Sequence, residues 1–175
     1  KTVRQFARLR EDEDDLSPRQ VAAVLLDDPL MALKLLIHQQ RTRGRSQNRD
    51  ITTAEHAVMM VGMSQFFTLF GDLPTIEEML AEHPKALIGC LKVIARAKRA
   101  MHYARDWAIL RHDIDIEEIT VATLLNEVAE ILCWCSAPGL TEKVFALQRA
   151  TPGLRSAAAQ KAVMNVSIAE LQLGL

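Results

Sequence analysis

The sequence predicts an all-α fold, a single multi-helix bundle, from two positive signals and one absence. Helix-start signals recur along the chain, the apolar residues between them fall at helical spacing, and no segment shows the alternating pattern of a half-buried strand. Five starts place a capping oxygen three residues before a Glu or Gln: Ser17-Pro18-Arg19-Gln20, Thr52-Thr53-Ala54-Glu55, Thr75-Ile76-Glu77-Glu78, Asp115-Ile116-Glu117-Glu118 and Ser167-Ile168-Ala169-Glu170. Such a pair can satisfy two backbone donors that a helix start otherwise leaves unpaired.

Taken in order, residues 1–16 read as an acidic leader because of the run Glu11–Asp15, and residues 17–175 as the helical domain. The helix from Ser17 carries Val21, Val24 and Leu25 on one face; Asp28-Pro29 opens the next, with proline at the first helical position, where its missing N–H costs nothing. Ala54, Ala57, Val58 and Val61 mark a third. Met59, Met60, Met63, Phe66, Phe67 and Phe70, interrupted by Gly62, read as core with a surplus that could meet a partner. Further breaks fall at Gly44, Gly71–Pro74, His83-Pro84, Pro138-Gly139 and Thr151–Gly153, all short enough for a compact bundle of seven to nine helices. No linker is long enough to divide two domains, and no internal repeat of 20 to 50 residues points to a solenoid.

The composition of the 175 residues is that of an ordinary globular domain, 49% hydrophobic and 25% charged. With 21 basic against 22 acidic residues, there is no global field to recruit nucleic acid or a membrane surface. Three cysteines, two of them in the most apolar segment, argue against a disulfide framework and for a reducing cytoplasm. No apolar run approaches the ~18 residues that cross a bilayer, and no signal-peptide pattern opens the chain.

Residues 124–130, Leu-Leu-Asn-Glu-Val-Ala-Glu, follow an acidic helix start and an apolar run and lead into Ile131-Leu132-Cys133-Trp134. The stretch resembles the central helix of the HD superfamily, where Leu-Leu-His-Asp-Ile-Gly-Lys sits on a buried helix and the His-Asp pair binds a divalent metal for phosphohydrolysis. Asn126 and Glu127 stand at the two ligand positions. Two more patterns extend the likeness: Val24-Leu25-Leu26-Asp27-Asp28-Pro29-Leu30 followed by Lys34-Leu35-Leu36, and Ile51–Val58 leading to Val61-Gly62-Met63. Over roughly residues 17–136 the chain resembles the HDOD family, the HD-related output domain of bacterial signalling proteins. One departure is Gln39-Gln40-Arg41, where the family usually carries Asn-Ser; Glu170–Leu173 resembles the start of a late helix whose remainder is expected beyond Leu175.

An amide oxygen in place of imidazole makes Asn126 a weak transition-metal ligand, while Glu127 keeps a single carboxylate. Upstream, where the family's earlier histidine is expected, the chain has Arg96, Lys98 and Arg99, which repel a dication, and His102 off register. Glu127 beside Arg96 or Lys98 would instead form an ion pair. The resemblance with its ligands replaced therefore implies a non-catalytic regulatory domain in bacterial signal transduction, with no metal or other cofactor, binding a protein partner or small ligand. The alternative is a divergent metal-dependent HD phosphohydrolase, acting for example on a cyclic dinucleotide.

His112-Asp113 spells the HD dipeptide but lies beside Arg111 in a turn without apolar flanks. Cys133 and Cys135, two apart on a helix, point about 200° apart and cannot share a zinc ion. The other histidines are isolated and suit helix surfaces or caps. Between Lys34 and Arg49 there are five basic residues and no acidic one, with Arg41, Arg43, Arg45 and Arg49 gathered around Gly44 as a candidate anion- or partner-binding loop. No aromatic interleaves them to stack on a base, which weighs against nucleic acid.

Overall fold

The computed structural model describes residues 2–11, 16–42, 53–71 and 73–174. Among them the chain is all-α, with twelve helices and no strand. In chain order these are α1 (Thr2–Glu11), α2 (Pro18–Leu26), α3 (Pro29–Thr42), α4 (Ala54–Val61), α5 (Met63–Phe70), α6 (Ile76–Met79), α7 (Pro84–Leu110), α8 (Ile116–Leu125), α9 (Val128–Ser136), α10 (Pro138–Ala150), α11 (Ser156–Met164) and α12 (Ile168–Leu173). The number exceeds seven to nine in part because α1 and the break between α8 and α9 carry no start or stop signal of the kind read from the sequence.

Several starts form as their sequences require. Ser17, Thr75 and Ser167 each make a complete capping box, with Gln20, Glu78 and Glu170 respectively. Asp28 Oδ1 accepts the amides of Leu30 and Met31 at 3.0 and 3.2 Å. At α4 the cap is Thr53, one residue later than expected, accepting from the His56 amide at 3.1 Å. Gly62 has φ +81°, which separates α4 from α5 and which a side chain would strain.

Two compact units are formed, one from Lys1–Pro74 and Lys98–Leu125, the other from Thr75–Ala97 and Asn126–Leu175. No linker marks this division, since α7 passes from the second unit to the first in mid-helix.

In the first unit the core is aromatic. Phe66 stacks on Phe70 at 4.7 Å between ring centroids and takes Phe6 and Phe67 edge-on at 5.6 and 5.7 Å. Phe6 belongs to α1, so most of the expected leader is a docked helix; it carries one buried aromatic anchor and no capping signal to announce it. Residues 12–15 of the acidic run lie outside the described residues. Met59 and Met60 are exposed at 60% and 54%, a correction to their reading as core: α4 buries Ala57 and Val58, and adjacent positions 100° apart cannot all face inward.

In the second unit α7 and α9 run antiparallel, Gly89 and Cys90 lying opposite Trp134 and Cys135, and Arg96 opposite Glu127. Gly89 permits the close approach. A Cβ there would come within 2.5 Å of the Trp134 ring. Thr141, buried on α10, bonds the carbonyls of Cys133 and Ala137 at 3.1 and 3.0 Å. At α12 the Glu170 carboxylate accepts from Lys161 Nζ and from the Ser167 amide, both at 2.8 Å. The ammonium first, then the Ser167 donors, lower its pKa from 4.5 to about 2. A depressed carboxylate stabilises the folded chain fully above about pH 4.5 and loses that contribution as pH falls through about 2. Glu170 is therefore expected to titrate near 2 in a side-chain NMR titration and to move up toward 4.5 in Lys161→Ala; an unshifted wild-type value would contradict the cap.

Ile116–Ser136 corrects one further expectation. By length and composition this stretch of 21 residues, which contains an 18-residue window of mean hydropathy 1.3, could cross a membrane. The stretch is nevertheless broken into two helices, and Leu124, Val128, Ile131 and Trp134 are buried within the protein.

Candidate functional site

Asn126 and Glu127 do not sit within one continuous helix. They form the turn between α8 and α9, where asparagine, a poor residue for helix interiors, stands at the junction. Asn126 is exposed. Glu127 is the N-cap residue of α9 with φ −101° and ψ 5°, and its backbone carbonyl accepts the Ile131 amide at 3.1 Å.

Its carboxylate is engaged by α7. Arg96 Nη2 lies 2.5 Å from Glu127 Oε2 and 2.6 Å from Glu130 Oε2. Positions three apart share a helix face, so the turn residue and the first turn of α9 present both carboxylates to one guanidinium. These bonds, the one to Glu127 foremost, hold the Arg96 pKa above its usual value, so the cation is permanent. Of the two cations anticipated beside Glu127, Arg96 is the partner. Lys98 turns elsewhere and pairs with Asp27 at 2.6 Å.

The remaining sequence-derived positions scatter. His112 is exposed in the turn after α7, with a left-handed φ of 55°, and Asp113 follows it half-buried. His102 is an exposed residue of α7. His38 packs edge-on to Phe70 at 6.4 Å. Arg41 ends α3 in an exposed position, while Arg43, Arg45 and Arg49 lie outside the described residues. Among the described residues no three His, Cys, Asp or Glu side chains lie together as metal ligands.

All three cysteines are free thiols. The Sγ atoms of Cys90 and Cys135 are 3.9 Å apart, which sequence spacing could not reveal. This contact, followed by burial, pushes the Cys90 thiol up, while the same hydrogen bond draws Cys135 down. Burial raises Cys133.

Two concavities were also invisible in the sequence. The first unit holds a cavity of about 760 Å³ walled by apolar residues of α2, α3, α4 and α8, with Asp115, Glu117 and Glu118 on its lining; Glu117 accepts a hydrogen bond from the Ala54 amide. The second unit holds a groove of about 910 Å³ lined by α7, α9 and α10.

The family model of the HDOD domain matches residues 1–174. The chain belongs to the HDOD family. The match takes in both compact units, reaching past the residues 17–136 on which the resemblance rested, and includes α1 as well as α10 to α12. HDOD domains are related to the HD phosphohydrolases and are often degenerate. No curated protein and no solved structure matches this HDOD chain.

Proposed function

We propose that this HDOD domain is a non-catalytic regulatory module of bacterial signal transduction, acting in the cytoplasm by binding a protein partner or a small ligand. The observation that carries this reading is the arginine at the former metal position. Arg96 neutralises the negative charge that Glu127 and Glu130 would otherwise offer to a cation, and the neighbouring ligand position holds the neutral, exposed Asn126. A dication would have to displace a guanidinium bonded to two carboxylates and then gain only an amide beside them, so this set does not fit a divalent metal. Binding then remains as the task of the fold, and each unit carries a concavity of ligand size.

The test is direct. Purified protein incubated with Mn²⁺, Fe²⁺ or Ni²⁺ and desalted is expected to retain no stoichiometric metal and to hydrolyse bis(p-nitrophenyl) phosphate or a cyclic dinucleotide no faster than buffer. Stoichiometric metal together with turnover that Glu127→Gln abolishes would identify a phosphohydrolase instead.

A further inference from the structure

The groove of the second unit has a chemistry that its helices alone do not require. Its floor is apolar: Val93 and Trp134 are buried, and Trp134 lies 5.1 Å from Phe145 between ring centroids. Ile88 and Phe145 also line it, yet remain 56% and 37% exposed. Among the described residues of the unit these two side chains are only partly covered. Gly139 and Ala146 keep the lining low, so another backbone can approach closely.

Both walls are basic. Lys85, Lys92 and Arg96 fall at i, i+7 and i+11 along α7, one stripe of the helix; Lys143 and Arg149 stand on α10. Against these five cations the lining has two acids, Glu130 and Glu142. Glu130 is spent on Arg96. Lys85, Lys92 and Lys143 make no ion pair among the described residues. A chain with a net charge of −1 has thus gathered uncompensated positive charge on both sides of an apolar trough. The trough runs at least from Lys85 to Arg96, roughly 16 Å of helix, or about three turns.

We infer that this groove docks an acidic amphipathic helix of a partner protein, its apolar face on Ile88 and Phe145 above the buried Trp134 and its carboxylates against Lys85, Lys92 and Lys143. An apolar stripe flanked by acids matches both the floor and the walls, whereas a compact anion would leave the floor bare. The inference rests on the proposed regulatory reading and names the class of partner. Arg96 closes one end of the groove, so a partner carboxylate there would compete with Glu127 and Glu130 for the same guanidinium.

The chain has two tryptophans, and Trp107 is 69% exposed on α7, so Trp107→Phe leaves Trp134 as the sole indole reporter without touching the groove. Full-length Trp107→Phe protein would be titrated with two synthetic 18-residue peptides sharing one leucine stripe, flanked in one by glutamate and in the other by lysine. The acidic peptide is expected to shift Trp134 emission saturably and to bind more weakly as salt rises; the basic peptide should not bind. Lys92→Glu with Lys143→Glu should weaken acidic-peptide binding at least about tenfold, with an unchanged circular dichroism spectrum because both lysines are exposed. Ile88→Glu should do the same through the floor. Equal binding of both peptides, no binding of either, or indifference to the charge reversal would overturn the inference. So would a Trp134 response confined to phosphatidylglycerol vesicles or to a cyclic dinucleotide. None of these outcomes bears on metal content or turnover, so the regulatory reading and this one fail separately.

Discussion

Phe66→Ala is expected to cost about 3–5 kcal/mol of folding stability, the range for emptying a fully buried aromatic site. The loss is placed near the upper part because of what surrounds the ring. Phe66 is fully buried and touches three other aromatics, one stacked and two edge-on. Removing it deletes the favourable ring geometry as well as the buried area, and Phe6 loses the neighbour that anchors α1. Chemical denaturation read by circular dichroism gives the magnitude, and hydrogen exchange should show α1 opening first. A loss below about 1 kcal/mol would mean that the cluster repacks.

Gly89→Ala sets two effects against each other. Helix propensity favours alanine over glycine in a helix interior by about 1 kcal/mol. The new methyl, however, would meet three ring carbons of Trp134 at 2.5, 2.7 and 2.8 Å, closer than real side chains pack. Trp134 is buried against Phe145 and cannot swing clear as a surface side chain would. Overpacking of this kind costs typically 1–3 kcal/mol, so the net outcome is expected to be destabilising by up to about 2 kcal/mol. Gly89→Val, which adds bulk while giving back most of the propensity gain, should be worse. A stabilised Gly89→Ala protein, measured by denaturant midpoint at constant m, would show that α7 and α9 can move apart.

The local chemistry of this fold is written in the sequence, and the tertiary chemistry is not. Ser17, Asp28, Thr75 and Ser167 cap their helices as their spacing to the following polar residues demands, because a cap is decided within four residues. Phe66, Phe67 and Phe70 were legible as core, but hydrophobicity without helical phase also swept in Met59 and Met60. The Arg96–Glu127 pair was readable because like charges on α7 and a carboxylate on the following helices had no other obvious use. Glu130, at i+3 from Glu127, carried a signal that the familiar two-residue motif obscured. The leader became a helix through a single aromatic whose partners lie about sixty residues away, and the groove depends on three helices meeting; neither leaves a local mark.

Because α7 begins in one compact unit and ends in the other, and the chain crosses again between α8 and α9, each unit is assembled from two separated stretches. A gene fragment cut within α7 would encode one piece of each unit and the whole of neither, whereas a cut between α8 and α9 would leave the first unit whole and divide only the second. The acid-lined cavity therefore survives a cut between α8 and α9 that divides the groove, and a cut within α7 destroys the cavity and the groove alike.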